Sequence, residues 1–253
     1  MAAPHFVIRT QLLDPNASRS TRAIHWTPLQ IVPLTAVHAS WWDTHVHQPF
    51  ISHPSIPPDK RRADFSWYTL NTLRAALQLT AVANGRTSEE WAVLWTSPTT
   101  ATPVVCGWIL LEHHYDHLPD HARPKRARRK APFVWYLSRI PEEYFVVTYG
   151  LQPYPARLGQ ICVDIALARS LGTNQSGRLG LHADANAPRT SAHKRGDTVL
   201  TDWYQTQGMT RLPARAPLRR WRQLAPNDGG YFYFGDKNGQ LCYRRLRDYR
   251  LDR

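Results

Sequence analysis

Cysteine, methionine, acidic residues and long apolar runs are all scarce in this chain. Among 253 residues there are three cysteines, Cys106, Cys162 and Cys242. They are odd in number and far apart, so neither a disulfide framework nor a paired zinc spacing can be built from them. A reduced, cytoplasmic compartment is the expectation. No apolar run approaches the ~20 residues that a bilayer-spanning helix needs. The stretch Met1–Leu13 lacks a basic head followed by an apolar core, so no secretory signal is expected and no membrane association either. Acidic residues number 19 against 32 lysines and arginines, a net charge of +13. No internal repeat is visible.

What is present argues for a folded core. Hydrophobic residues make up 42% and aromatics 11% of the chain, with ten tryptophans, too apolar for a disordered segment. At roughly 150 residues per domain, one large domain or two small ones would fit.

The positive charge is concentrated in two places. Arg123, Lys125, Arg126, Arg128, Arg129 and Lys130 crowd one segment, and Arg211, Arg219, Arg220, Arg222, Arg244, Arg245, Arg247 and Arg250 punctuate the tail. Three readings stand open. The charges can form a solvated surface, bind RNA by releasing counterions from phosphates, or supply a local positive field for a nucleotide or coenzyme A.

Residues 1–25 read as a polar N-terminal arm, pinned at most by Phe6-Val7-Ile8. Residues 26–253 read as a single domain with a basic loop insertion at 119–131. From Trp26 to Pro58, prolines suggest mostly turns, with one short segment near Thr35–Val46. Phe65, Tyr68, Leu73, Ala76 and Leu77 recur at helical spacing behind Pro57-Pro58. Trp91–Trp95 and Val104–Leu111 are rich in β-branched and aromatic residues and predict a hairpin, and Phe133–Leu137 predicts another strand. A helix over Asp164–Leu171, a strand over Arg178–His182 and a helix over Asp197–Gln207 follow. Tyr231–Phe234, an Asn238-Gly239 turn and Leu241–Tyr243 predict a closing hairpin. The element order implies an α/β (α+β) fold, with a mixed, mostly antiparallel sheet, flanking helices and one parallel strand pair.

The most informative stretch combines Arg157-Leu158-Gly159-Gln160-Ile161, then Ala166 and Ser170, then Gly177-Arg178-Leu179-Gly180-Leu181-His182. Trp203-Tyr204 and Gln207-Gly208-Met209 complete it. These strings resemble the GNAT superfamily of acetyl-coenzyme-A-dependent N-acetyltransferases. The resemblance covers the second half of the chain, and the first half agrees only in element order. Position 157 carries Arg where the family commonly has its first glycine.

The resemblance implies a splayed parallel strand pair walled by Tyr136–Ile140 and Arg178–Ala183, with acetyl-CoA as cofactor. Arg157, Leu158, Gly159, Gln160 and Ile161 would hold its pyrophosphate, while Tyr136, Leu137 and Ser138 would flank the pantetheine arm. Tyr204 would protonate the leaving thiolate. Asp64 and Trp67 match an Asp-x-x-Trp pattern near the acceptor. Physical chemistry agrees at one point: a helix N-terminus exposes unbonded amides and the positive end of its dipole, which suits a diphosphate. Tyr204 can equally be a buried core aromatic.

The base is less specified. Glu112 closes a very apolar strand, where burial favours a proton acceptor with a raised pKa. Glu142 and Glu143 follow the wall strand, and a water chain would serve as well. His113, His114, His117 and His121 are read as a solvated loop edge rather than a metal centre, since Pro119 interrupts any shared helical face. His182 is read as a structural hydrogen-bonding residue. The expected activity is transfer of an acetyl or acyl group to the primary amine of an unidentified acceptor by direct attack. The rival is a non-catalytic relative, or a tRNA-directed acetyltransferase, using its basic surface on RNA. Whether the chain forms a homodimer is open.

Overall fold

The computed structural model describes residues 7–14, 25–55, 78–79, 82, 87–98, 101–115, 131–150, 153–183, 199–212 and 230–250. The helix expected behind Pro57-Pro58, nearly all of the basic insertion, Arg215–Arg222, and Asp64 and Trp67 lie outside or largely outside those residues.

The elements are β1 Val7–Leu13, β2 His25–Pro33, α1 Ala36–Trp42, a π-helical segment Asp43–Ile51, β3 Ser88–Thr96, β4 Pro103–Tyr115 and β5 Ala131–Arg139. Then come α2 Glu142–Tyr149, β6 Tyr154–Pro155, α3 Leu158–Gly172, β7 Leu179–His182, α4 Val199–Thr206, β8 Thr210–Arg211, β9 Tyr231–Phe234 and α5 Asp236–Arg245, with a 3₁₀ turn at Arg247–Tyr249. Among the described residues one nine-stranded sheet runs β6-β1-β2-β3-β4-β5-β7-β9-β8. Every neighbouring pair is antiparallel except β5–β7. This is the mixed, mostly antiparallel sheet expected from the sequence.

Trp91–Trp95 and Val104–Leu111 are buried without alternation, as befits central strands covered on both faces. The expected hairpin of β3 and β4 forms, pairing Trp91 with Ile109 and Trp95 with Val104. On β4, Gly107 lets α3 come close: a methyl group there would stand 3.2 Å from the Cys162 sulfur and 3.0 Å from the Ser138 carbonyl oxygen.

Three expectations are corrected. Residues 26–58 are not mostly turns, because His25–Pro33 is an internal strand and residues 36–51 are helical. Thr27, Leu29 and Ile31 are buried in alternation, a period-two pattern that Pro28 and Pro33 obscure in the sequence. Val7–Leu13 is likewise no free arm; it is a strand bonded to β2 on one side and β6 on the other.

The closing hairpin is instead β9 followed by helix α5. Gly239, Cys242 and Leu246 are buried at helical spacing while Leu241 is 51% exposed. Gly239 sits inside this helix because any Cβ would overlap the carbonyl oxygen of Gly177. In an isolated helix Gly costs about 1 kcal/mol relative to Ala. Here backbone contact overrides that preference.

α3 starts at Leu158, six residues before the expected Asp164, and its Ile161–Ala168 stretch is buried all round. Two ion pairs fix it. Asp164, fully buried, accepts both Nε and Nη2 of Arg250 at 3.0 and 3.1 Å. Near the other end Arg169 forks onto Glu89 of β3, its Nε 2.7 Å from Oε2, and His113 Nε2 stands 3.0 Å from Glu89 Oε1. Burial alone would raise the Glu89 carboxyl pKa, but the bonds and charges of His113 and Arg169 together outweigh it and hold it at about 2.

A folded-state pKa below the unfolded value means that the stabilisation is complete above about 4.5 and is lost as pH falls through about 2. Thermal melts between pH 7 and about pH 2 should therefore show acid destabilisation in wild type. Glu89→Gln should melt lower at neutral pH and give a flatter curve below pH 4.5. Parallel curves would show that Glu89 does not carry the acid sensitivity.

Candidate active site

The site begins with one surplus residue. Consecutive Leu110 and Leu111 of β4 face Tyr136 and Val134 of β5, so Trp135 is extra on its strand. Such a bulge bends the strand that bears it. The parallel ladder to β7 ends at the same place: Phe133 pairs with Gly180 and Val134 with Leu181, and no further pair follows. β5 continues to Arg139, while β7 stays with β9 through the Ala183 amide, 2.8 Å from the Gly230 carbonyl. A notch opens between the two strands, as the resemblance implies.

The N-terminus of α3 lies at the Arg139 end of the notch. The segment leading to it is fixed from the edge of the sheet, with Tyr154 and Pro155 paired to β1 and the Ala156 amide 2.9 Å from the Gln11 carbonyl. Arg157 caps the helix in the left-handed region at φ 55°, ψ 26°. That is the conformation glycine adopts at little cost, and here an arginine is held in it.

The amides of Gln160 and Ile161 turn back to the Arg157 carbonyl at 3.0 and 3.2 Å. Those of Leu158 and Gly159 have no intrahelical acceptor by position. No side chain caps this end and its first turn holds no acidic residue. The dipole is therefore not balanced by a carboxylate of the helix's own first turn.

These amides open onto a cavity of about 310 Å³, lined by Arg139, Ile140, Glu142, Phe145, residues 155–160 and Trp203. Arg139 Nη1 lies 3.8 Å from Glu142, and both side chains are substantially exposed. The Gln160 Oε1 atom is buried without a hydrogen-bond partner among the described residues, a condition that costs about 1–3 kcal/mol unless a donor arrives. Trp203 of α4 stands over the helix start, 3.5 Å from where a Gly159 Cβ would be. An alanine would fit at that position, so close packing alone does not require the glycine.

Of the anticipated anion-binding residues, Arg157, Leu158, Gly159 and Gln160 line the cavity, whereas Ile161 is fully buried in the core. Tyr136, Leu137 and Ser138 lie on β5 past the bulge, with Ser138 buried. Burial raises the Tyr136 hydroxyl pKa. Tyr204 is 6% exposed, packed against Trp203 at 5.1 Å and Phe232 at 5.5 Å, and the cavity wall on this helix is its neighbour Trp203.

Glu112 is buried on β4 opposite Phe133, outside the cavity lining, and its Oε2 accepts the Trp135 indole N–H at 2.7 Å. Glu142 borders the cavity, and Glu143 is exposed in the first turn of α2. His113 is buried against Glu89, while His117 and His121 lie outside the described residues. His182 stands edge-on to Tyr231 at 4.5 Å.

The cavity residues Phe145 and Trp203 were not expected from the sequence as cavity lining, and Arg139 fell only within the expected wall Tyr136–Ile140 without a role of its own. Burial pushes the thiol pKa of Cys162 up to about 12 and that of Cys106 up further, so neither supplies a thiolate nucleophile at neutral pH.

No protein-family model matches the sequence, and no curated protein does. Among solved structures, a candidate acetyltransferase from T. thermophilus is 16% identical, covering 98% of this chain and 98% of that chain, with a TM-score of 0.43. Another candidate acetyltransferase is 16% identical over 87% of this chain and 92% of its own, with a TM-score of 0.39. AtaTR bound with AcCoA is 14% identical over 85% of this chain and 98% of that chain, with a TM-score of 0.37. Superpositions this loose carry no weight for the site, whose chemistry follows from its own geometry.

Arg157 has two separable roles, a strained backbone and a charge. Arg157→Ala and Arg157→Gly remove the same guanidinium, but only glycine relaxes a positive φ. The glycine variant should be the more stable of the two by about 1 kcal/mol in urea unfolding. Equal stability would mean that the left-handed cap is not kept once the arginine is removed.

Proposed function

We propose that the protein is an acetyl-CoA-dependent N-acetyltransferase, moving an acetyl or acyl group to a primary amine by direct attack. One observation carries the reading: an uncapped helix N-terminus, without acidic residues, opens onto a cavity at the wide end of a parted parallel strand pair.

The residues present suit this cofactor. The amides of Leu158 and Gly159 and the α3 dipole would hold the diphosphate, with Arg139 and Arg157 adding positive charge. The orphaned Gln160 Oε1 calls for a donor, which a hydroxyl or amide of a ligand can provide. Tyr136, Leu137 and Ser138 follow the edge of β5 along which the arm would extend. When bound, acetyl-CoA supplies the acyl group already activated as a thioester.

Two side chains would then handle protons. Glu112, buried and oriented by the Trp135 indole, would receive the proton of the attacking amine. Trp135 is four strand positions from Arg139, about 13 Å at ~3.3 Å per residue, so the two ends of the notch can serve the anion and the reacting groups separately. Tyr204, beside the cavity-lining Trp203, would return a proton to the leaving sulfur. The Asp64 and Trp67 pair is kept as an acceptor-side element of the reading. A reduced, cytoplasmic setting suits three buried free cysteines.

Isothermal titration with acetyl-CoA should give saturable, micromolar binding; folded protein that takes up none at high micromolar concentration would refute the reading. Tyr204→Phe should slow release of free coenzyme A thiol in the presence of primary amines by about a hundredfold. Its affinity for acetyl-CoA should be unchanged. A lower melting temperature with unaltered turnover would make Tyr204 a packing residue.

A further inference from the structure

Trp203 stands on the cavity wall with a hydrogen-bond donor that the protein leaves unused. Other indoles of the fold are satisfied internally: Trp91 donates to Glu89 at 3.1 Å, Trp95 to Thr27 at 3.2 Å and Trp135 to Glu112 at 2.7 Å. The Trp203 ring is half-buried and packs on Tyr204, yet its N–H has no partner among the described residues. Buried or half-buried tryptophans usually find an acceptor for this group.

The ring is turned towards the start of α3. Its atoms nearest to Gly159 are Cζ2 and Cη2, 3.5 and 3.6 Å from where a Cβ would be. Nε1 is two bonds from Cζ2, so the N–H projects from the same edge of the ring. Arg139 borders the same point, with its Cδ 3.9 Å away. The place of the missing Gly159 side chain is thus a niche between an indole edge, an arginine stem and the first turn of α3. Nothing in the empty protein demands that it stay open. An alanine would meet only ordinary contacts there, and Gly159 is helical, without a positive φ.

The niche is also one-sided in its chemistry. An indole N–H and a guanidinium can only donate, and the Leu158 and Gly159 amides of the same turn are donors without an intrahelical acceptor. Its occupant must therefore accept hydrogen bonds, and the helix dipole favours one that is negative. A phosphate oxygen meets both conditions.

We infer that Trp203 is a ligand of the diphosphate, its indole N–H donating to a phosphate oxygen seated over Gly159. The inference rests on the transferase reading for the identity of that diphosphate as part of coenzyme A. It goes further in bringing in a side chain from a second helix, so that the bound anion would tie α4 to α3. Tyr204 is the next residue on α4, and the same contact would help to fix the position of the helix that carries it.

Proton–nitrogen correlation spectra and titration calorimetry on the full chain test this with three ligands: acetyl-CoA, ADP, and S-acetylpantetheine, which has the thioester arm but no diphosphate. The chain has ten tryptophans. One indole cross-peak, the one missing from Trp203→Phe, should move downfield with acetyl-CoA and with ADP and stay in place with S-acetylpantetheine. Trp203→Phe keeps a ring but no N–H, and should bind acetyl-CoA and ADP about tenfold more weakly, the scale of a lost hydrogen bond to a charged group. Its affinity for S-acetylpantetheine should be unchanged. Gly159→Ala should melt no lower than wild type, fill the niche, weaken both diphosphates and abolish the indole shift.

Acetyl-CoA and ADP binding that leaves every indole cross-peak in place overturns the inference and spares the transferase reading. So does a Trp203→Phe loss that is equal for all three ligands, which would make Trp203 a packing residue, or a Gly159→Ala protein that binds as wild type does. An indole shift with ADP in a protein that takes up no acetyl-CoA supports the role of Trp203 and refutes the transferase reading. Binding of none of the three ligands refutes both. Should Trp203→Phe fail to fold, the wild-type spectra and Gly159→Ala decide.

Discussion

The parting of β5 from β7 is the constraint on which the rest of the site depends. Two strands that pair along their whole length leave no room between them, whereas these two share only Phe133–Gly180 and Val134–Leu181. The separation has a local cause in the surplus Trp135, which bends β5 where the ladder stops. The same residue turns its indole N–H to Glu112. A single insertion thereby bends the strand beside the opening and orients a buried carboxylate on the neighbouring strand.

Opposite that opening, the helix must be held firmly while its first turn stays uncommitted. The firmness comes from charges along its length. The Asp164–Arg250 pair is buried, and burial outweighs the arginine bond enough to raise the Asp164 pKa to about 6. Such pairs add little net stability against an apolar replacement, but losing one partner costs about 3–5 kcal/mol, so they fix geometry. Glu89 with Arg169 does the same near the other end. Neither pair touches the first turn, whose amides remain available.

Much of the frame was legible in the sequence because its signals were local. The β-branched runs of β3, β4 and β5 and the Gly-Arg-Leu-Gly-Leu-His string each announce themselves within a few residues. The failures share a cause in tertiary context. Pro28 and Pro33 hid an alternating strand that only pairing with β1 and β3 reveals. Asn238-Gly239 has the composition of a turn, yet its glycine exists to clear the Gly177 carbonyl. In the site, Arg157 through Gln160 were readable from a contiguous motif. Trp203 was not, since nothing in its own segment says that it will overhang Gly159 from another helix. Arg139 fell within the expected wall Tyr136–Ile140, but nothing local marks its side chain as cavity lining, which depends on where the chain turns after β5.

Tyr249 and Arg250 lie at the far end of the described chain, yet one bonds Arg157 and the other Asp164. Both grips fall on the same helix, one at its mouth and one at its middle. Thermodynamic linkage then runs in both directions: whatever tightens around Arg157 also favours docking of residues 249–250, and undocking them loosens the helix start by the same free energy. Residues 249–250 thereby tie the end of the described chain to the start and the middle of the helix at once.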